Sequence, residues 1–245
     1  PFIRNFNYRN NLIVSANLIN ECITYGTKVI FTSSMAVYGD QTPPFTEDKR
    51  PQPIDPYGIA KYAVECDLKL AHEQFGLRYN IVRPHNVLGI YQNIWDRYRN
   101  VIGIFIRKAL NGQPILIYGD GEQTRAFSDI KYYMEPFDKL LTGHDSETFN
   151  IGADKHFTLN EVAMTVQTIA AKYGYHVDIE HGEPRHEAKH AYCDHTKAKT
   201  VLNFEDNTNL AELIESMFVW AMKQPNRKVK DMEYEVTKDI YDYWK

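Results

Sequence analysis

Three side chains in this sequence could move a proton together: Ser34, Tyr57 and Lys61. Tyr57 and Lys61 stand four residues apart, a spacing that puts a phenol and an ammonium on one helix face. A free Tyr has a pKa of about 10, so almost none is ionised at neutral pH. A nearby cation stabilises the phenolate, and each unit of downward shift corresponds to roughly 1.4 kcal/mol. A phenol tuned in this way could take the proton of a substrate hydroxyl while a hydride leaves the adjacent carbon, with Ser34 bonded to the same oxygen. Two more Tyr-x-x-x-Lys pairs, Tyr234/Lys238 and Tyr241/Lys245, lie in a charged tail with no strand-end hydroxyl before them. They read as solvated helix pairs.

The elements that would position the set follow from pattern. Lys28-Val29-Ile30-Phe31-Thr32 reads as a buried parallel strand closed by Ser33-Ser34. A Pro- and Gly-rich loop follows, then a helix over 57–75 whose apolar positions Ile59, Tyr62, Ala63, Cys66, Leu70 and Ala71 suffice for two contact faces. Upstream, residues 4–25 carry a helical stripe of Leu12, Ala16, Leu18, Ile19, Cys22 and Ile23. Leu77 to Arg83 is a second buried strand, ended by Pro84; Asn86 follows at its C-terminal end, where open α/β sheets bind ligands. His85 has no evident partner and reads as a structural histidine. Beyond residue 90 the chain turns polar and aromatic, then gives a helix from Val101 to Leu110 and a strand from Pro114 to Tyr118. Thr158-Leu159-Asn160-Glu161 is a capping box opening a helix to Tyr173. A strand over His176–His181 and an amphipathic helix from Leu210 to Lys223 complete the pattern, and Pro225 stops the helix.

Composition bounds the function classes. At 43% hydrophobic and 24% charged, the 245 residues have the make-up of a globular protein, large enough for one sizeable core or two modest ones. A net charge of −4 argues against nucleic acid and a membrane surface as partners. Three widely spaced cysteines, Cys22, Cys66 and Cys193, suit a reducing cytoplasm. His186-Glu187-Ala188-Lys189-His190 matches H-E-x-x-H, with His181, Cys193 and His195 nearby. That zinc motif needs a long helix; here Gly182 and Pro184 stand just before it and no apolar stripe surrounds it, so no metal is assigned.

Four motifs carry a resemblance: Ser33-Ser34-Met35-Ala36-Val37-Tyr38-Gly39, Pro56-Tyr57-Gly58-Ile59-Ala60-Lys61, Arg83-Pro84-His85-Asn86-Val87-Leu88-Gly89 and Gly119-Asp120-Gly121-Glu122-Gln123-Thr124-Arg125. Asn150-Ile151-Gly152 and the Arg185-to-Lys197 segment add to them. On these residues the chain resembles the NAD-dependent epimerase/dehydratase family of extended short-chain dehydrogenases/reductases, over nearly all of its length to about residue 225. The resemblance implies an α/β fold: a Rossmann-like doubly wound parallel sheet without its first strands, and a smaller α/β substrate domain. Residues 1–89 would belong to the first, with 126–150 returning to it, and 90–225 mainly to the second; 226–245 is a charged tail. No G-x-G-x-x-G occurs, and the chain starts at Pro1. The resemblance therefore implies that roughly 60–90 residues, two to three βαβ-type units, precede it.

The family also implies roles. NAD would meet Asn11, Thr32, Ser33, Tyr57, Lys61 and Pro84. A UDP-sugar would meet Ser34, Asn86, Asn100 and Val101, with Ile117 and Tyr118 flanking the uracil and Arg125 and Arg185 on the pyrophosphate. A guanidinium suits that last task because it offers phosphate a rigid fork of donors. The helices over 4–25 and 57–75 would pair across a homodimer interface. Related 4,6-dehydratases place an Asp-Glu pair after the strand-end hydroxyl, decarboxylases a Glu in that region, and fucose-synthase-type enzymes a Cys. Met35 and Ala36 occupy those positions here and transfer no proton. That points to a 4-epimerase working through a 4-keto sugar, with a dehydratase or reductase, or a non-catalytic NAD-sensing protein, as the alternatives. N-acetyl sugars would be admitted or excluded by the residue facing the sugar. Counting from Arg185 gives Tyr192, counting back from Asp194 gives Ala191, and the choice stays open.

Overall fold

The computed structural model describes residues 3–95, 100–184, 189–225, 227, 233–238 and 240. Three parallel strands form the first sheet in the order β1 (Val29–Thr32), β2 (Tyr79–Pro84), β7 (Glu147–Ile151). Alternation along β2 decides which layer covers which face. Tyr79 and Ile81 pack on Ile19 and Cys22 of α2 (Val14–Tyr25) and on Val64, Leu68 and Ala71 of α3 (Pro56–Phe75). Val82 points the other way, into a cluster with Phe149 and Ile151 of β7, Leu140 of α5 (Met134–Thr142) and Ala198 and Leu202 of α7 (Thr196–Leu202). Helices thus cover both faces of a parallel sheet, the doubly wound arrangement.

A second core lies under the parallel pair β4 (Ile115–Tyr118) and β9 (Ile179–Gly182). It is built from α4 (Val101–Leu110), α6 (Leu159–Lys172) and α8 (Leu210–Met222). Two short parallel strands, β3 (Val87–Leu88) and β6 (Ser128–Asp129), pair with each other. A three-stranded mixed sheet of β10 (His190–Ala191), β5 (Thr124–Ala126) and β8 (His156–Thr158) stands beside the second core. No helix among the described residues is long and apolar enough to cross a membrane.

Local chemistry sets the boundaries. Asp55 caps α3 by accepting the Gly58 N–H at 2.7 Å, Pro56 fills the first turn, and Gly76 ends the helix at φ 70°. The capping box at Thr158 forms as its sequence predicts, with Glu161 returning a bond to the Thr158 N–H. The helix expected over 4–25 is continuous but not uniform: between α1 (Arg4–Asn7) and α2 it widens into a π-helical stretch at Tyr8–Ile13. Within α2, Leu18, placed on the apolar stripe by its spacing, is 58% exposed, whereas Ile19 and Cys22 are buried. Leu77 lies outside β2, and the strand expected at His176–His181 runs instead from Ile179 to Gly182. Glu235 of the tail accepts the N–H groups of Asn5 and Phe6 at 2.6 and 2.7 Å, setting a carboxylate at the N-terminus of α1.

Candidate active site

Strand β1 leads into Ser33-Ser34, and α3 carries Tyr57 and Lys61, the other two residues expected to transfer a proton. The Ser33 N–H donates to the Val82 carbonyl at 2.7 Å, continuing the β1–β2 ladder, and Ser34 then leaves the sheet. In an extended conformation, Ser34 caps a single 3₁₀ turn, Met35–Tyr38, its Oγ accepting the Ala36 N–H at 3.2 Å. The first turn of α3 sits directly on this turn. A Cβ at Gly58 would lie 2.6 Å from the Ala36 carbonyl oxygen, so a residue without a side chain is what lets the two approach. Gly39 closes the turn at φ 68°, where a Cβ would strike the Gln52 carbonyl at 2.0 Å.

Tyr57 therefore stands at the positive end of a 20-residue helix, beside the Ser34 turn and 37% exposed. Lys61, one turn on, donates to the Thr32 carbonyl at 2.9 Å. Its Nζ lies 5.8 Å from the centre of the Tyr57 ring and 4.9 Å from that of Phe31. Burial pulls the Lys61 ammonium below the ordinary lysine pKa. A half-desolvated cation acts on a neighbouring phenol more strongly than one in bulk water.

Behind this set lies a buried polar network that sequence reasoning missed. Glu65 is fully buried and accepts from Arg83 twice, Nε to Oε1 at 3.0 Å and Nη2 to Oε2 at 2.6 Å. Arg83 also donates through Nη1 to the Tyr38 hydroxyl at 2.7 Å, which donates to Asn150 Oδ1 at 2.8 Å. Despite desolvation, the Glu65 partnership holds the guanidinium above its ordinary pKa, and burial raises the Tyr38 phenol. Ser33 belongs to the same network: its hydroxyl donates to Glu65 Oε1 at 2.5 Å and is buried. The hydroxyl of Ser33, a residue expected at the cofactor, is thus engaged inside the protein. A signal was present: Tyr57, Lys61 and Glu65 follow at four-residue steps on one helix face, and a carboxylate on that line has to find a partner.

The remaining expected residues fall into two groups. Thr32, Pro84 and Asn86 share one end of the first sheet with Ser34, since β1 and β2 run parallel with Thr32 opposite Val82. Asn86 is exposed at φ 39° and donates to the Ala126 carbonyl at 2.9 Å. Asn11 lies half-buried in the π-helical stretch, donating to the Asn7 carbonyl at 3.1 Å. The other group borders the second core. Tyr118 lines a cavity of about 630 Å³ with Gly119, Gln123, His181 and Lys189. Arg125 donates to the Thr124 carbonyl at 2.8 Å and to the carbonyl of Lys189, a residue that lines the cavity, at 3.2 Å. Strand alternation turns the Ile117 side chain into the core at 1% exposure, while Tyr118 faces the cavity. Asn100 precedes α4 at φ 59° without capping it through its side chain, and Val101 packs on the second core. Arg185, with His186 and Glu187 of the H-E-x-x-H match, lies outside the described residues.

Between the first sheet and the segment after β10, two buried imidazoles meet. His85 Nε2 lies 3.0 Å from His195 Nε2, and His195 Nδ1 contacts the Asp154 carboxylate at 2.9 Å. Burial first, and the neighbouring ring second, pulls the His85 pKa down to about 3; burial also lowers that of His195. Gly152 makes room for His85, since a Cβ there would lie 2.0 Å from its Nε2. His85 thus has the partner that its sequence neighbourhood did not reveal.

Residues 4–152 match the model of the NAD dependent epimerase/dehydratase family. The chain belongs to that family. Among curated members of the family, a putative UDP-glucose 4-epimerase of Methanocaldococcus jannaschii is 32% identical over 221 residues, covering 89% of this chain and 70% of the relative. A UDP-N-acetyl-alpha-D-glucosaminuronate decarboxylase of Bacillus cytotoxicus is 32% identical over 218 residues, covering 83% of this chain and 66% of the relative. The crystal structure of the Thermotoga maritima UDP-glucose 4-epimerase with UDP-glucose superposes with a TM-score of 0.79 at 32% identity, covering 87% of this chain and 69% of that one. The chain thus spans about two thirds of the length of these family members. NAD is the cofactor of the epimerase/dehydratase family. The residues present fit its reactive end: Lys61 uses one of three N–H donors on Thr32, and the others are available to ribose-type hydroxyls beside Tyr57.

Proposed function

We propose that the whole protein is a UDP-sugar 4-epimerase, acting on UDP-glucose and UDP-galactose. The observation that supports this reading is the turn after β1: Ser34 caps it, the first turn of α3 packs on it through Gly58 and Ala36, and the two positions after Ser34 are Met35 and Ala36. Family chemistry that expels water or carbon dioxide needs an additional proton-transfer group there, and a thioether and a methyl supply none. NAD, when bound, supplies the hydride acceptor and returns the hydride. Tyr57 accepts the proton of the sugar 4-hydroxyl and gives it back after the sugar has turned. Ser34 holds the same oxygen by a hydrogen bond, and Lys61 stabilises the phenolate through proximity. Arg125 and Arg185 would hold the pyrophosphate so that the nucleotide stays while the sugar turns, a positional role.

Sugar choice rests on the pair left open by sequence. Ala191 is buried against Val37, Tyr38 and Phe45. Tyr192 is only half-buried and stacks on His156 at 5.0 Å. Tyr192 is therefore the side chain of the two with access to a ligand, which favours sugars without an N-acetyl group. Incubating the full-length protein with NAD and UDP-glucose should give UDP-galactose by NMR; a keto sugar or a pentose product would replace this reading with the dehydratase or decarboxylase one. With UDP-N-acetylglucosamine, wild type should be slow and Tyr192→Ala faster, by at least about tenfold, the scale of a relieved steric conflict. An unchanged ratio of the two substrates in the variant would remove Tyr192 from the sugar site.

Lys61 gives a pH test. Lys61→Met removes the cation beside the phenol, so the acid limb of the pH–rate profile should move upward by roughly 1–3 units, the usual effect of one adjacent charge. A lowered rate with an unmoved limb would confine Lys61 to holding the cofactor. A homodimer through α2 and α3 belongs to the same reading, supported by the exposure of Val14, Leu18 and Leu70 on these helices.

A further inference from the structure

The buried histidine pair points beyond the epimerase site. A ring nitrogen of His85, one of His195 and the Cys193 Sγ all lie within 4.8 Å of one another, the two Nε2 atoms are 3.0 Å apart, and all three residues are buried. Hydrogen bonding fixes the first proton. His195 donates Nδ1–H to the Asp154 carboxylate at 2.9 Å, which leaves a lone pair on its Nε2, aimed at His85. His85 then has two choices. A proton on its Nε2 satisfies His195 but leaves Nδ1 bare, and that atom is buried with no hydrogen-bond partner among the described residues. A proton on Nδ1 sets two lone pairs against each other at 3.0 Å. Neither neutral arrangement satisfies both rings, and a third proton would create a buried imidazolium.

A metal cation resolves the conflict. It would accept both Nε2 lone pairs and place the His85 proton on Nδ1. We propose that His85, Cys193 and His195 form a structural binding site for a divalent transition-metal ion of the zinc class. Two imidazoles and one thiolate are donor types that zinc takes, and one further ligand, such as a water, would complete the tetrahedron. Two Zn–N bonds of about 2.0–2.1 Å at a tetrahedral angle put the nitrogens about 3.4 Å apart, so the pair has to open by only about 0.4 Å. The carboxylate on the far nitrogen of His195 is the outer-shell support that metal-bound histidines have. Coordination would release the thiol proton of Cys193 as it forms the metal–sulfur bond. The site would tie the end of β2, where Asn86 emerges, to the segment that leads into α7.

Metal analysis of the full-length protein grown with zinc should find about one ion per chain. Cobalt added to the stripped protein should give a thiolate-to-cobalt charge-transfer band in the near ultraviolet. Cys193→Ala should lose the band. Asp154→Asn should keep it but weaken cobalt binding about 10- to 100-fold, an effect on affinity that a merely structural carboxylate would not have. Asp154 is partly exposed, so this variant reads the site even where Cys193→Ala does not fold. The proposal is overturned if wild type neither retains zinc nor gives the band, if the band survives in Cys193→Ala, or if Asp154→Asn binds cobalt as wild type does.

Discussion

Tyr57→Phe should lower the epimerisation rate of the full-length protein by about 10²- to 10⁴-fold, the contribution of a positioned acid/base, and leave UDP-sugar affinity nearly unchanged. In free energy this is about 2.7–5.5 kcal/mol of transition-state stabilisation. The variant keeps the ring and deletes only the hydroxyl of a 37% exposed side chain, so thermal stability should stay within about 0.5 kcal/mol of wild type. That separation is what makes the test decisive. The bare phenyl ring cannot relay a proton but still sits at the second position of α3 over the Gly58–Ala36 contact, with Lys61 one turn behind. A competitive inhibitor of the UDP class should bind the variant as tightly as it binds wild type. Turnover at a tenth of the wild-type rate or more would show that another group removes the sugar proton.

The sequence made this site legible because its residues are local. Ser34, Tyr57 and Lys61 lie within one strand–turn–helix unit, and helical spacing alone relates the last two. The parallel strands and the capping box were legible for the same reason, since β-branched runs and Thr-x-x-Glu act over a few residues. What escaped depends on partners distant in the chain. Arg83 meets Glu65 across two elements, and His85 meets His195 over 110 residues. Neither pairing has a spacing to read. Ile117 and Tyr118 were placed together at the uracil, yet one backbone step sends them to opposite faces, and only the position of the second core says which is which. The π-helical stretch at Tyr8–Ile13 has no local motif to read, and Leu18, expected on the apolar stripe, is exposed while Ile19 and Cys22 on the same helix are buried.

Glu65→Ala should cost more stability than any change at the catalytic set. It leaves the Arg83 guanidinium, 2% exposed, without its carboxylate, and arginine cannot shed its charge to escape. Removing one partner of a buried pair typically costs about 3–5 kcal/mol, a large share of the roughly 5–15 kcal/mol that holds a domain together. Denaturant unfolding should show a midpoint shift of that size. Glu65→Gln keeps an acceptor for Arg83 and Ser33 while deleting the charge, so its loss should be smaller. Replacing both partners, Glu65→Leu with Arg83→Met, removes the stranded charge altogether and should recover most of the stability. Activity should not recover with it. The Ser33 hydroxyl donates to Glu65 and the Tyr38 hydroxyl accepts from Arg83, and these two residues bracket the turn that presents Ser34. With both anchors gone the turn loses its fixed geometry while the core stays packed, so kcat should remain depressed in a protein that melts almost normally. A double variant restored in both respects would make the network a packing device with no hold on the reacting oxygen.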